Sequence, residues 1–254
     1  MEIREVSKAF GGLWAVKDFS LILKQGGIYG LIGPNGAGKT TIFNLITGTS
    51  KVSSGSIYFS GTDITSWSPE KRARIGVTRN FQNLRLFKNL SVLENIKIAR
   101  HMHLNYTLVE ALLYFPSFLR AEKQLCDYCE DLLQIFGLSE YRNHLAAELP
   151  YGLQRKLDIV RGIVTGCPLV LLDEPTAGMN SMEAERLREL LVDVWQKYSL
   201  TLFVVEHRMP FILNLAHHIV VQDHGVIIAA GSPESIKRDP EVIKAYLGQG
   251  DEIA

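Results

Sequence analysis

The amino-acid sequence predicts an α/β domain built around a parallel β-sheet. Two continuous apolar runs, PLVLLDEP at 168–175 and LTLFVVEH at 200–207, are typical of strands that are buried on both faces. A third run, GGIYGLIG at 26–33, is closed by glycine and followed by a loop and the helical pattern TTIFNLITG. Because each of these strands leads into a helix, we expect helices to cover both faces of the sheet.

Other elements flank or interrupt this sheet. The stretch GSIYFSGTDI at 55–64 predicts an antiparallel hairpin, which gives the core a mixed-sheet N-terminal flank. Residues 84–166 are almost entirely helical in pattern and predict an α-helical subdomain inserted into the sheet domain. Asn180 and Glu183 have the spacing of a capping box for the helix between the apolar runs at 168–175 and 200–207. Its expected buried stripe is Leu187, Leu190, Leu191 and Val194. We therefore predict a single domain over 1–254.

Composition excludes several classes of protein. The 254 residues carry 27 basic and 27 acidic side chains, so no net charge draws the chain to nucleic acid. No apolar run approaches the roughly 18 residues that span a bilayer. The start MEIREVSKAF lacks the basic flank and apolar stretch of a targeting segment. We expect a soluble, cytosolic protein without a nucleic-acid partner.

The segment GPNGAGKTT at 33–41 has the spacing of a phosphate-binding loop. Glycines let backbone N–H groups curl around phosphates, Lys39 supplies a positive charge, and Thr40 offers a hydroxyl to Mg²⁺. The loop follows a buried strand and opens a helix, as this interpretation requires. The residues expected to contact the nucleotide here are Gly33, Pro34, Asn35, Gly36, Ala37, Gly38, Lys39, Thr40 and Thr41.

A pair of acidic residues supplies the second half of the predicted site. Asp173 ends the strand at 168–175, and Glu174 follows it directly. Strand alternation sends neighbouring side chains in different directions, so the two carboxylates can have separate roles. We expect Asp173 to hold Mg²⁺ through water and Glu174 to orient the attacking water. A second buried strand that ends at Glu206 and His207 supports this interpretation.

These motifs, taken in chain order, resemble the nucleotide-binding subunit of an ATP-binding cassette (ABC) transporter over essentially the whole chain. The set comprises Gly33 to Thr41, Gln82, LPYGLQRK at 149–156, LLDEP, AGMN at 177–180 and His207. The resemblance implies an α/β phosphate-loop NTPase fold with the helical insertion. It also implies that the chain binds ATP and Mg²⁺ and hydrolyses ATP to drive transport across a membrane.

The resemblance also implies roles for individual residues. Gln82 links Mg²⁺ and water to the transmembrane partner, and His207 contacts the γ-phosphate. Phe10 stacks on adenine with Val16 packed nearby, although a buried core position is an equal alternative for Phe10. The AGMN loop crosses the interface between two such subunits.

Finer features are similar to the LivG-type ATPases of branched-chain amino acid importers. They are the segment at 80–103, the stretch LLYFPSFLRAEKQ at 112–124 and the ending SPESIKRDPEVIKAYLG. Close relatives that energise urea or short-amide uptake share much of this pattern. The resemblance implies a second ATPase subunit, either a copy or a paralogue, two membrane permeases and an extracytoplasmic solute-binding protein. It places the chain peripherally on the cytoplasmic face of the inner membrane.

Residues 85–94 are expected to line a groove that receives a permease helix. The alternative is a solvated loop with one hydrophobic anchor. Soluble ABC proteins that act on ribosomes or in DNA repair usually carry two cassettes or a long coiled-coil insert, and this sequence has neither.

The segment LPYGLQRK departs from the ABC signature at two positions, Pro150 and Leu153, where serine and glutamine are usual in the family. The signature serine donates its hydroxyl to the γ-phosphate of ATP on the opposite subunit, and Pro150 has no hydroxyl. Proline is accepted at the first helical position, and Gly152 allows close backbone approach, so the helix should survive with its positive end. Pro150, Tyr151 and Gly152 remain expected nucleotide contacts. A catalytically weak structural subunit is the alternative that Pro150 raises.

Overall fold

The computed structural model describes residues 1–80, 84–100, 110, 112–113 and 115–247. The strands in this part of the chain are β1 (Glu2–Phe10), β2 (Leu13–Ile22), β3 (Ile28–Ile32), β4 (Ser54–Phe59), β5 (Thr62–Asp63), β6 (Val77–Asn80), β7 (Leu169–Asp173), β8 (Thr201–Val205), β9 (His218–Asp223) and β10 (Val226–Gly231). The helices are α1 (Lys39–Thr47), α2 (Pro69–Arg74), α3 (Val92–Arg100), α4 (Pro116–Ile135), α5 (Tyr151–Val164), α6 (Ser181–Tyr198), α7 (Met209–Leu215), α8 (Pro233–Lys237) and α9 (Pro240–Leu247).

The strands form two sheets. The larger sheet has the order β10-β9-β3-β8-β7-β6, in which the pairs from β9 to β6 are parallel and β10 is antiparallel to β9. The smaller sheet has the order β2-β1-β4-β5 and antiparallel pairing throughout. The predicted hairpin is therefore confirmed as β4 and β5. The mixed pairing lies at one edge of the larger sheet, whereas the N-terminal flank is antiparallel.

The parallel strands are buried on both faces, as their continuous apolar sequences predict. Along β8, Leu202 and Val204 pack into a cluster with the helical side of the molecule, while Phe203 and Val205 face the smaller sheet and α1. Alternate residues of one strand thus stabilise two separate cores. The carboxyl ends of β3, β7 and β8 meet at one edge, where ligands of such sheets bind.

The helical region lies between β6 and β7, which are neighbours in the larger sheet. Helices α3, α4 and α5 belong to it, and their buried side chains join the same cluster as Leu202 and Val204. The subdomain boundaries at 84–166 stay a prediction, and residues 84–91 precede the first helix. None of the described helices combines the length and the apolarity that a bilayer crossing requires.

The capping box of α6 is confirmed. The Glu183 backbone N–H donates to Asn180 Oδ1 at 2.9 Å, and the Asn180 N–H donates to Glu183 Oε2 at 2.9 Å. Three residues of the predicted stripe are buried, while Leu190 is only half-buried and packs at the edge of the core. The start of α6 is therefore fixed next to the loop that follows Asp173.

Candidate nucleotide-binding and hydrolysis site

The phosphate-binding loop connects β3 to α1 and depends on two glycines. A Cβ at Gly33, where φ is 152°, would lie 1.9 Å from the Gln222 carbonyl oxygen. A Cβ at Gly38, where φ is 103°, would lie 2.2 Å from the Ala15 carbonyl oxygen. Both positions combine a left-handed backbone with backbone crowding that a larger residue cannot relieve. The glycine spacing of the sequence is thus required by the local structure.

Helix α1 begins immediately after its N-cap residue, Gly38, and no side chain caps its N-terminus. The first turn therefore directs uncapped backbone N–H groups and the positive end of the helix at the loop, which favours a bound phosphate. Within the motif, the exposed residues are Asn35, Gly36 and Thr40, the half-exposed ones are Gly38 and Thr41, and the buried ones are Gly33, Pro34, Ala37 and Lys39.

The Lys39 ammonium is held inside the loop. Its Nζ donates to the Gly33 carbonyl at 2.6 Å and to the Pro34 carbonyl at 2.8 Å. Burial lowers the pKa of Lys39 from its ordinary value, and the nearby carboxylates of Glu174 and Asp173 partly oppose that shift. A phosphate oxygen would replace neutral carbonyls with a charged acceptor, which makes a stronger hydrogen bond.

Asp173 and Glu174 have different surroundings, as strand alternation predicts. The Asp173 side chain is 2% exposed and forms a 2.6 Å ion pair with Arg79. Glu174 is half-buried, with a left-handed backbone at φ 47°, and its N–H donates to the Val205 carbonyl at 2.9 Å. Arg155 Nη2 donates to the carbonyl oxygens of Asp173 at 3.1 Å and Glu174 at 2.5 Å. These contacts hold the end of β7 in place.

Glu206 anchors the end of β8 and was not assigned a role by sequence reasoning. Its fully buried carboxylate accepts hydrogen bonds from the Thr176 N–H at 2.9 Å and the Thr176 hydroxyl at 2.5 Å. It also accepts from the backbone N–H groups of His207 at 3.0 Å and Arg208 at 3.3 Å. Glu206 thus connects the loop after Asp173 to the segment that carries His207.

His207 projects from this anchored segment. Its side chain is 54% exposed, and Nδ1 lies 3.8 Å from Glu206 Oε2. The exposed ring is available to an outside ligand, while its backbone is fixed by Glu206. Its predicted contact with a γ-phosphate stays a prediction.

The structure excludes one of the two alternatives for Phe10, the buried core position. Phe10 is 54% exposed, so the core alternative is wrong, and Lys8 Nζ lies 4.9 Å from the centre of its ring. Phe10 ends β1 at the tip of the hairpin with β2, and its stacking on adenine stays a prediction. Val16 is completely buried in the core beneath the hairpin.

Pro150 precedes the first helical position, where the sequence analysis placed it, by one residue. It is the N-cap of α5, with an extended ψ of 149°, and Tyr151 is the first helical residue. The Pro150 carbonyl accepts from the N–H groups of Leu153 at 2.9 Å and Gln154 at 3.0 Å. At this position a serine hydroxyl would cap the helix, and proline has no such group. Leu153 is half-buried and packs against the core, which gives it a structural role.

Tyr151 and Gly152 occupy the surface at the start of α5. Tyr151 is 49% exposed, and its ring lies 2.7 Å from where a Cβ on Gly178 would stand. A Cβ on Gly152 would meet only Glu183 Oε1 at 3.7 Å, which is an ordinary contact. The chain itself leaves room for a side chain at Gly152. A need for glycine there would come from a molecule outside this chain.

Gln82 lies outside the described residues. The expected permease groove, residues 85–94, lies wholly within the described residues. Buried Asn95 holds this loop: its Oδ1 accepts from the Phe87 N–H at 2.9 Å, and its Nδ2 donates to the carbonyls of Phe87 at 3.0 Å and Ser91 at 3.0 Å. The Phe87 side chain is 47% exposed. The loop therefore has a fixed backbone and presents an aromatic ring.

The fold and the site together define a class of protein. Three features define it: a glycine-rich loop between a buried strand and a helix, a lysine inside that loop, and a carboxylate at the end of another parallel strand of the same sheet. Together they are the features of a phosphate-loop nucleotide-binding domain.

Comparison with known proteins places the chain within this class. The family model described as ABC transporter matches residues 16–177, and a model described as branched-chain amino acid ATP-binding cassette transporter matches residues 226–252. The chain therefore belongs to the ABC transporter family as an ATP-hydrolysing ATP-binding domain.

Individual relatives match over nearly the whole chain. The protein is 39% identical over 249 residues to the high-affinity branched-chain amino acid transport ATP-binding protein BraF of Pseudomonas aeruginosa, covering 98% of both chains. It is 41% identical over 240 residues to LivG of Salmonella typhimurium, covering 94% of both. A crystal structure of the ADP conformation of an ATP-binding cassette of an ABC transporter matches with a TM-score of 0.83 and 30% identity. The match covers 98% of this chain and 100% of that chain.

Proposed function

We propose that this chain is the ATP-hydrolysing subunit of an importer for branched-chain amino acids. The observation that carries the proposal is its identity of 39% and 41% to BraF and LivG, whose names describe high-affinity branched-chain amino acid transport. The second family model, at residues 226–252, independently supports this branch of the family. Urea or short amides are the alternative solutes.

In the proposed reaction, the chain's own residues bind and orient ATP and water. The phosphate loop, from Gly33 to Thr41, wraps the phosphates, and Lys39 turns its ammonium from backbone carbonyls to the outer phosphates. Glu174 orients and polarises the attacking water, and His207 donates a hydrogen bond to the γ-phosphate. The exposed ring of Phe10 stacks on adenine. Rigid anchoring of the carboxyl ends of β7 and β8 by Arg155 and Glu206 supports this assignment.

The donor set near the loop suits Mg²⁺. Thr40 is exposed at the start of α1, and Asp173 has its carboxylate at the end of β7, which β8 separates from β3 in the same sheet. Oxygen ligands from a hydroxyl and one carboxylate, completed by phosphates and water, are typical of nucleotide-bound Mg²⁺. We propose that Thr40, Asp173 and Gln82 hold this ion, which would neutralise charge on the phosphates.

Transport requires partners that span the membrane. We propose that two of these ATPases, as copies or paralogues, assemble with two permeases, and that the permeases receive solute from an extracytoplasmic binding protein. The chain would then be peripheral on the cytoplasmic face of the inner membrane. The exposed side chains of Phe87, on its fixed loop, and of Tyr151, at the start of α5, support such contacts.

The isolated chain is expected to hydrolyse ATP slowly, with a specific activity that rises with protein concentration, because each ATP must be enclosed by a second subunit. The complex purified from native membranes is expected to be active and, in proteoliposomes, to import labelled leucine rather than urea. Fast, concentration-independent turnover by the isolated chain would contradict the shared site. Preferential urea uptake would replace the solute and leave the ATPase assignment intact.

Pro150 supports a second candidate function, a structural subunit with weak catalysis. Pro150→Ser is expected to strengthen ATP-dependent dimerisation by about tenfold to a hundredfold, because a hydrogen bond to a charged group contributes about 1.5 to 3 kcal/mol. Analytical ultracentrifugation in the presence of ATP, with Glu174→Gln to prevent turnover, measures this change. Pro150→Ala is the matched control, since it removes the ring without adding a hydroxyl. Equal dimerisation of both variants would show that position 150 does not contact the nucleotide.

A further inference from the structure

Arg79 contacts Asp173, one of the proposed Mg²⁺ ligands, although no sequence motif marked it. It is on β6, and its guanidinium is almost fully buried between α1 and the end of β7. Arg79 Nη2 donates to Asp173 Oδ2 at 2.6 Å, and Nη1 donates to Asn44 Oδ1 at 2.6 Å. The guanidinium carbon lies 5.4 Å from the centre of the Phe43 ring. Arg79 therefore connects the carboxylate of Asp173 to helix α1.

Asn44 gives this bridge its position relative to the nucleotide. It follows Thr40 by four residues on α1, so the two side chains lie on the same face of the helix, one turn apart. Arg79 thus occupies the space between Asp173 and the helix face that carries Thr40. These are the two described residues that we propose as ligands of Mg²⁺.

The ion pair of Arg79 and Asp173 is shielded from water, since the two side chains are 5% and 2% exposed. Removing one partner of such a pair leaves an uncompensated buried charge, which is strongly destabilising. A divalent cation near Asp173 would repel the guanidinium at short range, and little solvent is present to screen that repulsion. The Asp173 carboxylate therefore cannot bind the Arg79 guanidinium and Mg²⁺ equally well at the same time.

We infer that Arg79 is the counter-cation of Asp173 in the metal-free state, and that Mg²⁺ arriving with the nucleotide competes with Arg79 for this carboxylate. This inference rests on the proposed function. It makes Arg79 a positioning residue that weakens the binding of Mg²⁺ until the phosphates contribute their own oxygens.

Strand β6, which carries Arg79, also contacts helix α5. Asn80, the next residue on β6, donates through Nδ2 to the Asp158 backbone carbonyl and, at 3.1 Å, to its carboxylate on α5. Helix α5 begins just after Pro150, on the surface proposed to face the second subunit. The end of β6 therefore contacts Asp173 through Arg79 and α5 through Asn80.

The test measures ADP binding, which is independent of turnover. Calorimetric affinities for ADP with EDTA and with saturating Mg²⁺ give a ratio that reports the contribution of Mg²⁺. In Arg79→Met this ratio is expected to rise by about tenfold or more, because Mg²⁺ then relieves the unpaired carboxylate. The melting temperature in EDTA is expected to fall below that of the wild type, and Mg²⁺·ADP should restore much of the loss.

Arg72→Met is the matched control. Arg72 is also buried, but its guanidinium donates to the carbonyls of Leu45, Ile46 and Thr65. Asp63 acts on it electrostatically, but within the described part of the chain Arg72 forms no ion pair with a carboxylate. It should lose stability with no change in the Mg²⁺ ratio. The same outcome for Arg79→Met would make Arg79 merely structural, and a lower ratio would make it a support for Mg²⁺ binding. Either result overturns the inference.

Arg79→Lys keeps the test decisive if Arg79→Met does not fold. Lysine retains the charge but cannot bridge Asp173 and Asn44 with a planar fork, so the Mg²⁺ ratio should rise by less than tenfold but stay above the wild-type value. A ratio equal to that of the wild type or below it would overturn the competition. A wild-type chain that binds neither ADP nor Mg²⁺·ADP would instead contradict the proposed function.

Discussion

Lys39→Ala is expected to abolish tight ATP binding and to leave the chain folded. Lys39 is the ammonium held within the phosphate loop, where its Nζ lies 2.6 Å and 2.8 Å from two carbonyl oxygens of that loop. In the complex with ATP it would make charge-assisted hydrogen bonds to phosphate, each contributing about 1.5 to 3 kcal/mol. Losing two of them should weaken binding at least about a hundredfold. Isothermal titration calorimetry measures the change.

The fold should tolerate this substitution because the ammonium is an unfavourable group to bury. Burial lowers the pKa of Lys39, which means that the environment disfavours its charged form in the absence of a phosphate. Its removal therefore relieves a desolvation penalty while two carbonyls lose a donor. Circular dichroism and the melting temperature check folding, and Lys244→Ala, an exposed lysine on α9, is the control. Micromolar ATP affinity in folded Lys39→Ala would contradict the assignment of the loop.

The elements with strong local signals could be predicted from the sequence. Strands β7 and β8 are continuous apolar runs, and the capping box of Asn180 and Glu183 lies within four residues, so each signal is complete in a short window. The phosphate loop could also be predicted from a short window, because its backbone at Gly33 and Gly38 requires glycine. In each case local sequence and tertiary structure favour the same conformation.

The side chains that organise the site could not be predicted in the same way. Arg79 contacts Asp173 across 94 positions of the sequence, and Glu206 contacts Thr176 across 30. Arginine and glutamate are usually exposed, so their burial depends on partners that no local pattern identifies. The parallel order of the sheet brings these partners together. The position of Pro150 was missed for another reason: helix ends are set by backbone angles, which shift by a residue with context.

Glu174→Gln is expected to cost most of the ATPase activity of the assembled transporter. The substitution preserves the shape of the side chain and removes the carboxylate that we propose polarises water. The backbone should stay in place, because the Glu174 N–H donates to Val205 and its carbonyl accepts from Arg155. Positioned base catalysis contributes about 10² to 10⁴ in rate, so a loss of that size is expected in steady-state phosphate release. Glu189→Gln, on the exposed face of α6, is the control.

The size of this loss also tests whether the two ATP sites are equivalent. If the second ATPase is a paralogue with an intact signature serine, the site containing Lys39, Asp173 and Glu174 receives that serine. The partner's ATP receives the α5 terminus, where Pro150 has neither a hydroxyl nor an N–H to donate. The site on this chain should then carry out most of the hydrolysis, and the corresponding glutamate change in the partner should cost much less.

Equal losses from the two changes, measured side by side in reconstituted complexes, would contradict the asymmetry, as would a homodimer in which Pro150 faces both nucleotides. Full activity of the Glu174→Gln complex would remove Glu174 from the mechanism.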